Sequence, residues 1–405
     1  MIGLKAEYNE QLHKHMNRLK APFYFYDLDF LENHLRRLQE LSPSWLKLWY
    51  ATKANPMSAI LKLIRNVGLG VDVASQGELD QALRSGVPPK MILSTGPAKS
   101  KSYMRSLLEN DVCVVVVESL NQAYWLDEVA KSLNVRPKVL LRVQLSWDAD
   151  SDILGGSAIT PFGIEASEWP KLEAEKISSL DIQGFHVFQW GNILDTSRLE
   201  VLWDNIFTTL IPLARDMNFE LKVVDLGGGL GIPYKKEEEH RRLDFSEIVE
   251  LLSKLKKRHK VESEIWMELG RFAVGECGHY LAQIVDRKKV RGRELLVLEG
   301  GINHLCRPAL TKSPFPCSLF RPSDAALTEF QVHGPLCTAL DELGRFQLPS
   351  DIQIGDWLAF HQAGAYGFTE AMPFFLCHPL PAEVIIYKGS FMTPRTSKTS
   401  ADWMI

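Results

Sequence analysis

The sequence predicts an α/β protein: a closed parallel (β/α)8 barrel, or TIM barrel, plus a C-terminal all-β domain that also uses the N-terminal segment. Two observations carry this. In the first two-thirds of the chain, eight short apolar runs rich in Val, Ile and aromatics alternate with amphipathic stretches. Eight strands alternating with helices suit a closed barrel better than an open sheet. After about residue 275 the helical period fades, and strand-like runs joined by Pro- and Gly-rich turns take over.

The elements follow in chain order. The run FYFYDLD at 23–29 precedes the eight and is expected to pair with the C-terminal domain, which makes the barrel an insertion between two parts of it. The eight barrel runs lie at 46–53, 70–74, 91–95, 112–117, 138–144, 182–188, 221–226 and 264–269. Between Met57 and Val67 the apolar residues Met57, Ile60, Leu61, Ile64 and Val67 fall at helical spacing. Gly77–Leu83 and Asp195–Met217 read the same way. The charged stretch Lys235–Arg242 reads as an exposed loop. Runs at 280–285, 294–299, 329–333, 356–361 and 383–387 are the predicted strands of the second domain. The expected division is a barrel over 27–275 and a β-domain from 1–26 and 276–405.

Composition narrows the function. The chain has 405 residues, of which 46 are basic and 50 acidic, giving a net charge of −4 with no long single-sign block. That argues against an electrostatic nucleic-acid binder. The basic patches Lys256–Lys260 and Arg287–Lys289 read as solvated faces. No run of eighteen apolar residues is present, so no membrane span is expected. The opening MIGLKAEYNEQLHKH lacks the apolar core of a signal peptide. The six cysteines (113, 277, 306, 317, 337 and 377) form no CxxC pair and no metal-ligand spacing. Their scarcity fits a reducing cytoplasm, and no metal is expected.

Several residues fall where a barrel opens, at the C-terminal ends of its strands. Lys53, in YATKANP, closes the first barrel run. There a desolvated lysine becomes a free amine that attacks an aldehyde; the bland alternative is a surface lysine. Gly227-Gly228-Gly229 follows a buried strand and lets backbone N–H groups converge on a phosphate, or else is a flexible turn. Glu268, in WMELGR, needs a cationic partner inside a barrel mouth. A protonated pyridine nitrogen would serve, and so would Arg271 after Gly270, in a structural pair. Arg271 can instead clamp a phosphate or a carboxylate. His186 also ends a strand, either stacked on an aromatic cofactor or as a satisfied core histidine. Asp72 and Arg142 sit similarly, with cofactor contact and a structural role both open. Cys337, in GPLCTALD, lies in a loop after a β-domain strand as an acid–base candidate or a plain thiol. Tyr366, in GAYG, either reaches a pocket from a small-residue loop or is a core aromatic. Lysine, glycine triplet and carboxylate together fit one cofactor, pyridoxal 5'-phosphate.

The order of these motifs resembles the barrel-type pyridoxal-phosphate decarboxylases. That family includes diaminopimelate, ornithine and arginine decarboxylases and siderophore-pathway relatives. The resemblance runs from about Pro22 to Pro381 through YATKANP, VDVAS, LLRV, FHV, VDLGGG, ELGR, GGINHLCRPAL, GPLCTALD and GAYG. It implies that Lys53 forms the Schiff base, that His186 stacks on the pyridine ring and that Glu268 pairs with its nitrogen. It implies that Gly227–Gly229, Arg271 and Tyr366 hold the phosphate. It further implies that Cys337 reprotonates the product carbanion. In relatives this cysteine comes from the partner subunit, which implies a homodimer with shared active sites.

The departures from the family pattern bear on substrate. The usual proline before Gly270-Arg271 is Leu269. The Gly-Ser that normally follows the histidine's strand end is Phe188-Gln189, so Gln189 would replace a serine's hydrogen bond to phosphate. The acidic residue after the cysteine, which meets a distal substrate amine in ornithine and diaminopimelate decarboxylases, is Thr338. The tyrosine expected after Arg307-Pro308 is replaced by Thr311, whereas Arg307 remains and can bind a substrate carboxylate. CTALD is similar to the siderophore-pathway members, whose amino-acid substrates are joined to a carboxylate-rich group. The expectation is a decarboxylase of such a small-molecule amino acid, with Arg271, Arg307, Thr338 and Tyr366 at the substrate. The alternatives are diaminopimelate decarboxylase and a non-catalytic pyridoxal-phosphate-binding regulator.

Overall fold

The structure, a computed structural model, describes residues 8–19, 22–145 and 159–402. The first seven residues of the segment read above for a signal peptide lie outside the described residues. The chain divides into two compact units. One comprises Met1–Leu31, Pro233–His240 and Val274–Ile405; the other comprises Glu32–Ile232 and Arg241–Ala273.

The chain opens with helix α1 (Asn9–Leu19), strand β1 (Phe23–Asp27) and helix α2 (Leu28–Leu41). The barrel strands follow: β2 (Leu46–Ala51), β3 (Gly70–Val73), β4 (Ile92–Ser94), β5 (Val114–Val117) and β6 (Lys138–Gln144). A two-residue strand β7 (Ile164–Glu165) lies beside β6, and β8 (Asp181–His186), β9 (Val223–Asp225) and β10 (Glu264–Leu269) complete the series. All neighbours are parallel, β10 returns to β2, and β5 pairs with β6, so eight strands close a barrel. Each of the eight runs expected from sequence supplies one of them. Parallel strands covered on both faces read as continuous apolar runs, and all four valines of β5 are buried. Trp49, Leu93, Val114, Val116, Leu140, Val223 and Trp266 pack as one buried cluster. Gly70 is required beside it, because any Cβ there would collide with the Trp49 ring.

The helices of this unit are α3 (Ser58–Val67), α4 (Gln76–Arg84), α5 (Lys101–Glu109), α6 (Leu120–Leu133), α7 (Thr196–Asp216) and α8 (Phe245–His259). Helix α3 buries Ile60, Leu61, Leu63 and Ile64 and stops at Gly68, which adopts φ +93°. Ser75, Ser100 and Ser119 cap α4, α5 and α6 by accepting backbone N–H groups. No α-helix joins β6 to β8 among the described residues. Two 3-10 turns, Ala166–Lys171 and Ala174–Ile177, stand there, the first interrupted by Pro170, which cannot donate to a helix. Lys235–Arg242, read as a loop, is exposed in most positions but contains the 3-10 turn Lys236–Arg241.

After the one-turn helix α9 (Arg271–Val274) come β11 (Gly278–Val290), β12 (Arg293–Leu298), helix α10 (Arg307–Thr311), β13 (Cys317–Leu319), β14 (Leu327–His333), β15 (Glu342–Pro349), β16 (Trp357–Phe360), β17 (Ala382–Tyr387) and β18 (Ser390–Arg395). They form a mixed sheet in the order β15-β14-β12-β11-β1-β17-β18, with β16 bridging β11 and β13. Strand β1 lies antiparallel to β11 and parallel to β17, so the first strand of the chain sits inside the C-terminal sheet. Its Phe23 and Phe25 pack with Leu281, Val384 and Ile386, and with Leu12 and Met16 of α1. Sequence reading missed β13, β15 and β18. β13 is only three residues long, β15 is broken by Gly344, and β18 alternates exposed and half-buried residues at the sheet edge. Among the described residues no helix is long and apolar enough to cross a membrane.

Candidate functional site

The expected residues of the barrel unit gather at the C-terminal ends of its strands. Lys53 follows β2 on a 3-10 turn, Thr52–Ala54. An Asx turn fixes the exit: the Asn55 side chain accepts the Met57 N–H at 3.1 Å, and the Tyr50 hydroxyl donates to the Asn55 carbonyl at 2.8 Å. Thr52 and Ala54 are buried, whereas Lys53 is exposed. The desolvation expected for Lys53 is therefore not seen in the isolated chain, although its charge acts on Asp72, Glu78 and Glu268. Its ammonium lies 5.6 Å from the centroid of the Phe188 ring.

His186, at the end of β8, and Glu268, on β10, are bonded to each other: His186 Nε2 lies 3.0 Å from Glu268 Oε1. Both are almost fully buried. Burial lowers the imidazole pKa against the opposing pull of the Glu268 charge and hydrogen bond. Burial works against the Glu268 charge too. The charge and hydrogen bond of His186, and then the positive charges of Lys53 and Arg142, outweigh it and hold the carboxyl below the ordinary glutamate range. The Nδ1 of His186 has no hydrogen-bond partner among the described residues.

Asp225, on β9, joins these two; ligand atoms of His186, Asp225 and Glu268 all lie within 4.8 Å of one another. One Asp225 oxygen accepts the Gly227 N–H at 2.9 Å, while the other is buried without a partner. Burial first, then the Glu268 charge, push its carboxyl far above the ordinary aspartate range. Two adjacent buried carboxyls cannot both ionise.

Asp72, on β3, accepts from the Thr95 hydroxyl at 2.8 Å and the Thr95 N–H at 3.2 Å. Burial and Glu268 raise it to about 7, against the opposing pull of Lys53 and Thr95. Arg142, on β6, forms a buried ion pair with Glu118 at 2.9 Å. Both residues are thus engaged by neighbouring strand ends. Gln189 is buried, with Nε2 at 3.4 Å from the Leu145 carbonyl.

The Gly227–Gly229 loop follows β9, with φ +64° at Gly227 and +114° at Gly229. A Cβ on Gly228 would lie 2.6 Å from the Glu268 carbonyl, and one on Gly229 would lie 2.6 Å from the Trp190 carbonyl. The loop is therefore restricted to glycine by both conformation and space. The N–H groups of Gly228 and Gly229 donate to no acceptor among the described residues. Unfilled donors in a Cβ-free cradle suit a phosphate. Gly270 follows β10, and buried Arg271 opens α9.

Three participants escaped the sequence reading. Asp225 was visible in VDLGGG, but nothing in its spacing showed that it would be buried against Glu268. Lys99, after β4, is only 3% exposed and donates to the Gly96 carbonyl at 2.6 Å. Burial lowers it to about 8 despite Glu118 and Asp72. Phe188 borders both Lys53 and the glycine loop; a Cβ on Gly228 would meet its ring at 3.3 Å.

The β-unit holds the other expected residues. Tyr366 is half-buried and takes φ +57°. Arg307, at the start of α10, places its guanidinium 5.7 Å from the Tyr366 ring centroid and bonds Glu370 at 3.1 Å. Cys337 is exposed in the loop after β14. The Thr338 hydroxyl accepts the Leu340 N–H at 3.2 Å within that loop. Asp341 ties this loop to the one before α10, accepting the Ile302 and Leu336 N–H groups, each at 2.7 Å.

A buried imidazole bonded to a buried carboxylate, an exposed lysine and an empty-handed glycine cradle on one barrel face match the amine, ring and phosphate of pyridoxal phosphate. Comparison with known proteins agrees. Residues 28–275 match the family model described as the pyridoxal-dependent decarboxylase, pyridoxal binding domain. The chain is 27% identical to an L-glutamyl-[BtrI acyl-carrier protein] decarboxylase of Niallia circulans, covering 95% of this chain and 93% of that protein. It is 30% identical to a diaminopimelate decarboxylase of Zymomonas mobilis, covering 95% and 92%. It is 29% identical to a 2-[(L-alanin-3-ylcarbamoyl)methyl]-2-hydroxybutanedioate decarboxylase of Staphylococcus aureus, covering 88% and 92%. Among solved structures, diaminopimelate decarboxylase from Helicobacter pylori superposes with a TM-score of 0.87 at 23% identity, covering 96% of this chain and 98% of that one. The chain belongs to the pyridoxal-dependent decarboxylases and is an amino-acid decarboxylase that uses pyridoxal phosphate.

Proposed function

We propose that the substrate is an amino acid with a carboxylate at its distal end, and that Arg307 holds that carboxylate. The observation that carries this is the state of Arg307. It is 21% exposed and uses one N–H on Glu370; its other donors have no hydrogen bond among the described residues. A planar guanidinium with free donors is suited to a carboxylate. The relatives named for diaminopimelate and for a hydroxybutanedioate derivative act on compounds with such a group. Within this class, the uncharged Thr338 favours a carboxylate-rich siderophore precursor. A second reading, a diaminopimelate-like substrate, is favoured by the acidic Glu370 beside Arg307.

In this reading Lys53 anchors the cofactor through its amine, and His186 packs against the ring. Glu268 keeps a negative charge opposite the ring nitrogen. Gly227–Gly229, Gln189, Gly270, Arg271 and Tyr366 hold the phosphate, with Asp72 and Arg142 as electrostatic support. When bound, pyridoxal phosphate supplies an aldehyde that captures the substrate amine and a ring that takes up the electron pair left by the departing carboxylate. Cys337 of a second copy donates its Sγ proton to the substrate Cα, and the amine of Lys53 then displaces the product. The two copies form a homodimer that shares its active sites.

A carbon-dioxide release screen tests the substrate reading. Diaminopimelate, ornithine, lysine and citryl-linked diamino acids are the compounds. Release from a compound with a distal carboxylate is expected. Turnover of ornithine or lysine alone would overturn the role of Arg307.

A further inference from the structure

Lys99 is a buried cation to which the proposed function gives no task. It lies in the loop after β4, and that loop is firmly held. Thr95 bonds Asp72 through both its N–H and its hydroxyl, and Gln122 Nε2 donates to the Pro97 carbonyl at 2.7 Å. Gly96 takes φ +101°, and a Cβ there would lie 3.0 Å from the Ala74 carbonyl. The Lys99 ammonium turns back on this loop and donates to the Gly96 carbonyl at 2.6 Å.

An ammonium carries three donors. The other two of Lys99 meet no acceptor among the described residues, although the side chain is almost wholly enclosed. The charges of Glu118 and Asp72 act on it, but neither carboxyl is bonded to it. Glu118 is taken by Arg142 at 2.9 Å and by the Gly163 N–H at 3.2 Å, and Asp72 Oδ1 is taken by Thr95. A buried charge with unused donors requires an oxygen ligand.

Strand order identifies that oxygen. The barrel closes as β2-β3-β4-β5-β6-β8-β9-β10, so β4 stands directly across from β9. The glycine cradle follows β9, and Lys99 follows β4. In pyridoxal phosphate the ring hydroxyl and the phosphate arm flank the aldehyde carbon on opposite sides. With the phosphate at the cradle and the aldehyde toward Lys53, the hydroxyl edge is turned to β4. The α-carboxylate of the substrate is the poorer match, because a fixed ammonium would stabilise the group that must leave.

We propose that Lys99 is a cofactor-binding residue: its ammonium donates to the ionised ring oxygen of pyridoxal phosphate and holds the edge of the ring opposite the phosphate. This rests on the Gly227–Gly229 cradle holding the phosphate, as in the proposed function.

The test is a fluorescence titration of the whole chain, freed of cofactor, with pyridoxal phosphate and with the analogue that has hydrogen in place of the ring hydroxyl. Wild type is compared with Lys99→Met and with Lys99→Gln, which keeps a donor for the Gly96 carbonyl but not the charge. Both variants should lose about tenfold or more in affinity for pyridoxal phosphate and little for the analogue, so the preference for the hydroxyl collapses. Affinities for the two compounds that fall together would mark a purely structural lysine and overturn the proposal. If circular dichroism shows that the variants do not fold, wild type alone decides. A hydroxyl preference below about fivefold overturns the proposal, and a larger one supports it. Gly229→Ala separates the two ideas. Unchanged affinity for both compounds defeats the cradle reading on which the ring's orientation stands. Weakened binding of both, with an undiminished hydroxyl preference in the Lys99 variants, defeats only the role of Lys99.

Discussion

At Glu268 the balance of forces is plain. Burial opposes its charge, and the charge and hydrogen bond of His186, with Lys53 and Arg142, restore it. Placement at strand ends was enough to single out Lys53, His186 and Glu268, because a barrel presents those positions to one face. It did not show that His186 and Glu268 would bond to each other, since β8 and β10 are far apart in sequence. Two residue-level predictions follow from this electrostatics. Lys53→Ala should abolish the long-wavelength absorbance of lysine-bound cofactor while leaving the far-ultraviolet circular dichroism intact; an unchanged cofactor spectrum would remove Lys53 from its role. The second concerns Asp72. Burial and Glu268 raise its carboxyl to about 7, whereas an unfolded aspartate ionises near 4. Between those values the folded protein holds a proton that the unfolded chain has lost. Stability should therefore fall as pH rises from about 4 to about 7 and level off above. Urea midpoints measured from about pH 5 to about pH 8 should decline less steeply for Asp72→Asn than for wild type. Equal slopes would refute the assignment.

At the scale of elements, the strand–loop junctions do the positioning. Three consecutive glycines after a buried strand were legible as a phosphate cradle or a turn. The structure adds the reason for three: positive φ at Gly227 and Gly229, and carbonyls of Glu268 and Trp190 where side chains would stand. Gly229→Ala should lower stability by about 2 kcal/mol or more, because it combines a disfavoured φ with a steric conflict. It should also weaken cofactor binding in a fluorescence titration; wild-type affinity would show that this loop does not hold the phosphate. The Phe188-Gln189 departure reads in sequence as a glutamine standing in for a serine's hydrogen bond. It proves also to be an added aromatic wall, because Phe188 contacts both the lysine and the glycine loop. Short or edge strands such as β13 and β18 escaped detection because their burial is too slight to leave an apolar pattern.

For the whole molecule, the first strand lies within the last sheet. Strand β1 pairs with β17 over a separation spanning most of the chain, so the sheet cannot form until both ends are present. FYFYDLD signalled a strand but could not name its partner. If Cys337 serves the barrel of a second copy, two inactive variants should complement. Mixing equal amounts of Lys53→Ala and Cys337→Ala after subunit exchange should restore up to about a quarter of wild-type activity, since half the dimers then carry one intact site. No recovery would place both residues in a site built from one chain.

The sequence by itself determined the barrel, the β-rich C-terminal part, the cofactor and the residues at its strand ends. These depend on local period, glycine placement and motif order, all of which are written along the chain. Only the tertiary structure decided which charges face one another: Glu268 against His186 and Asp225, Arg142 against Glu118, and Arg307 against Glu370. Coulombic and burial effects depend on distance in space, and each of these pairings joins residues that the sequence keeps well apart.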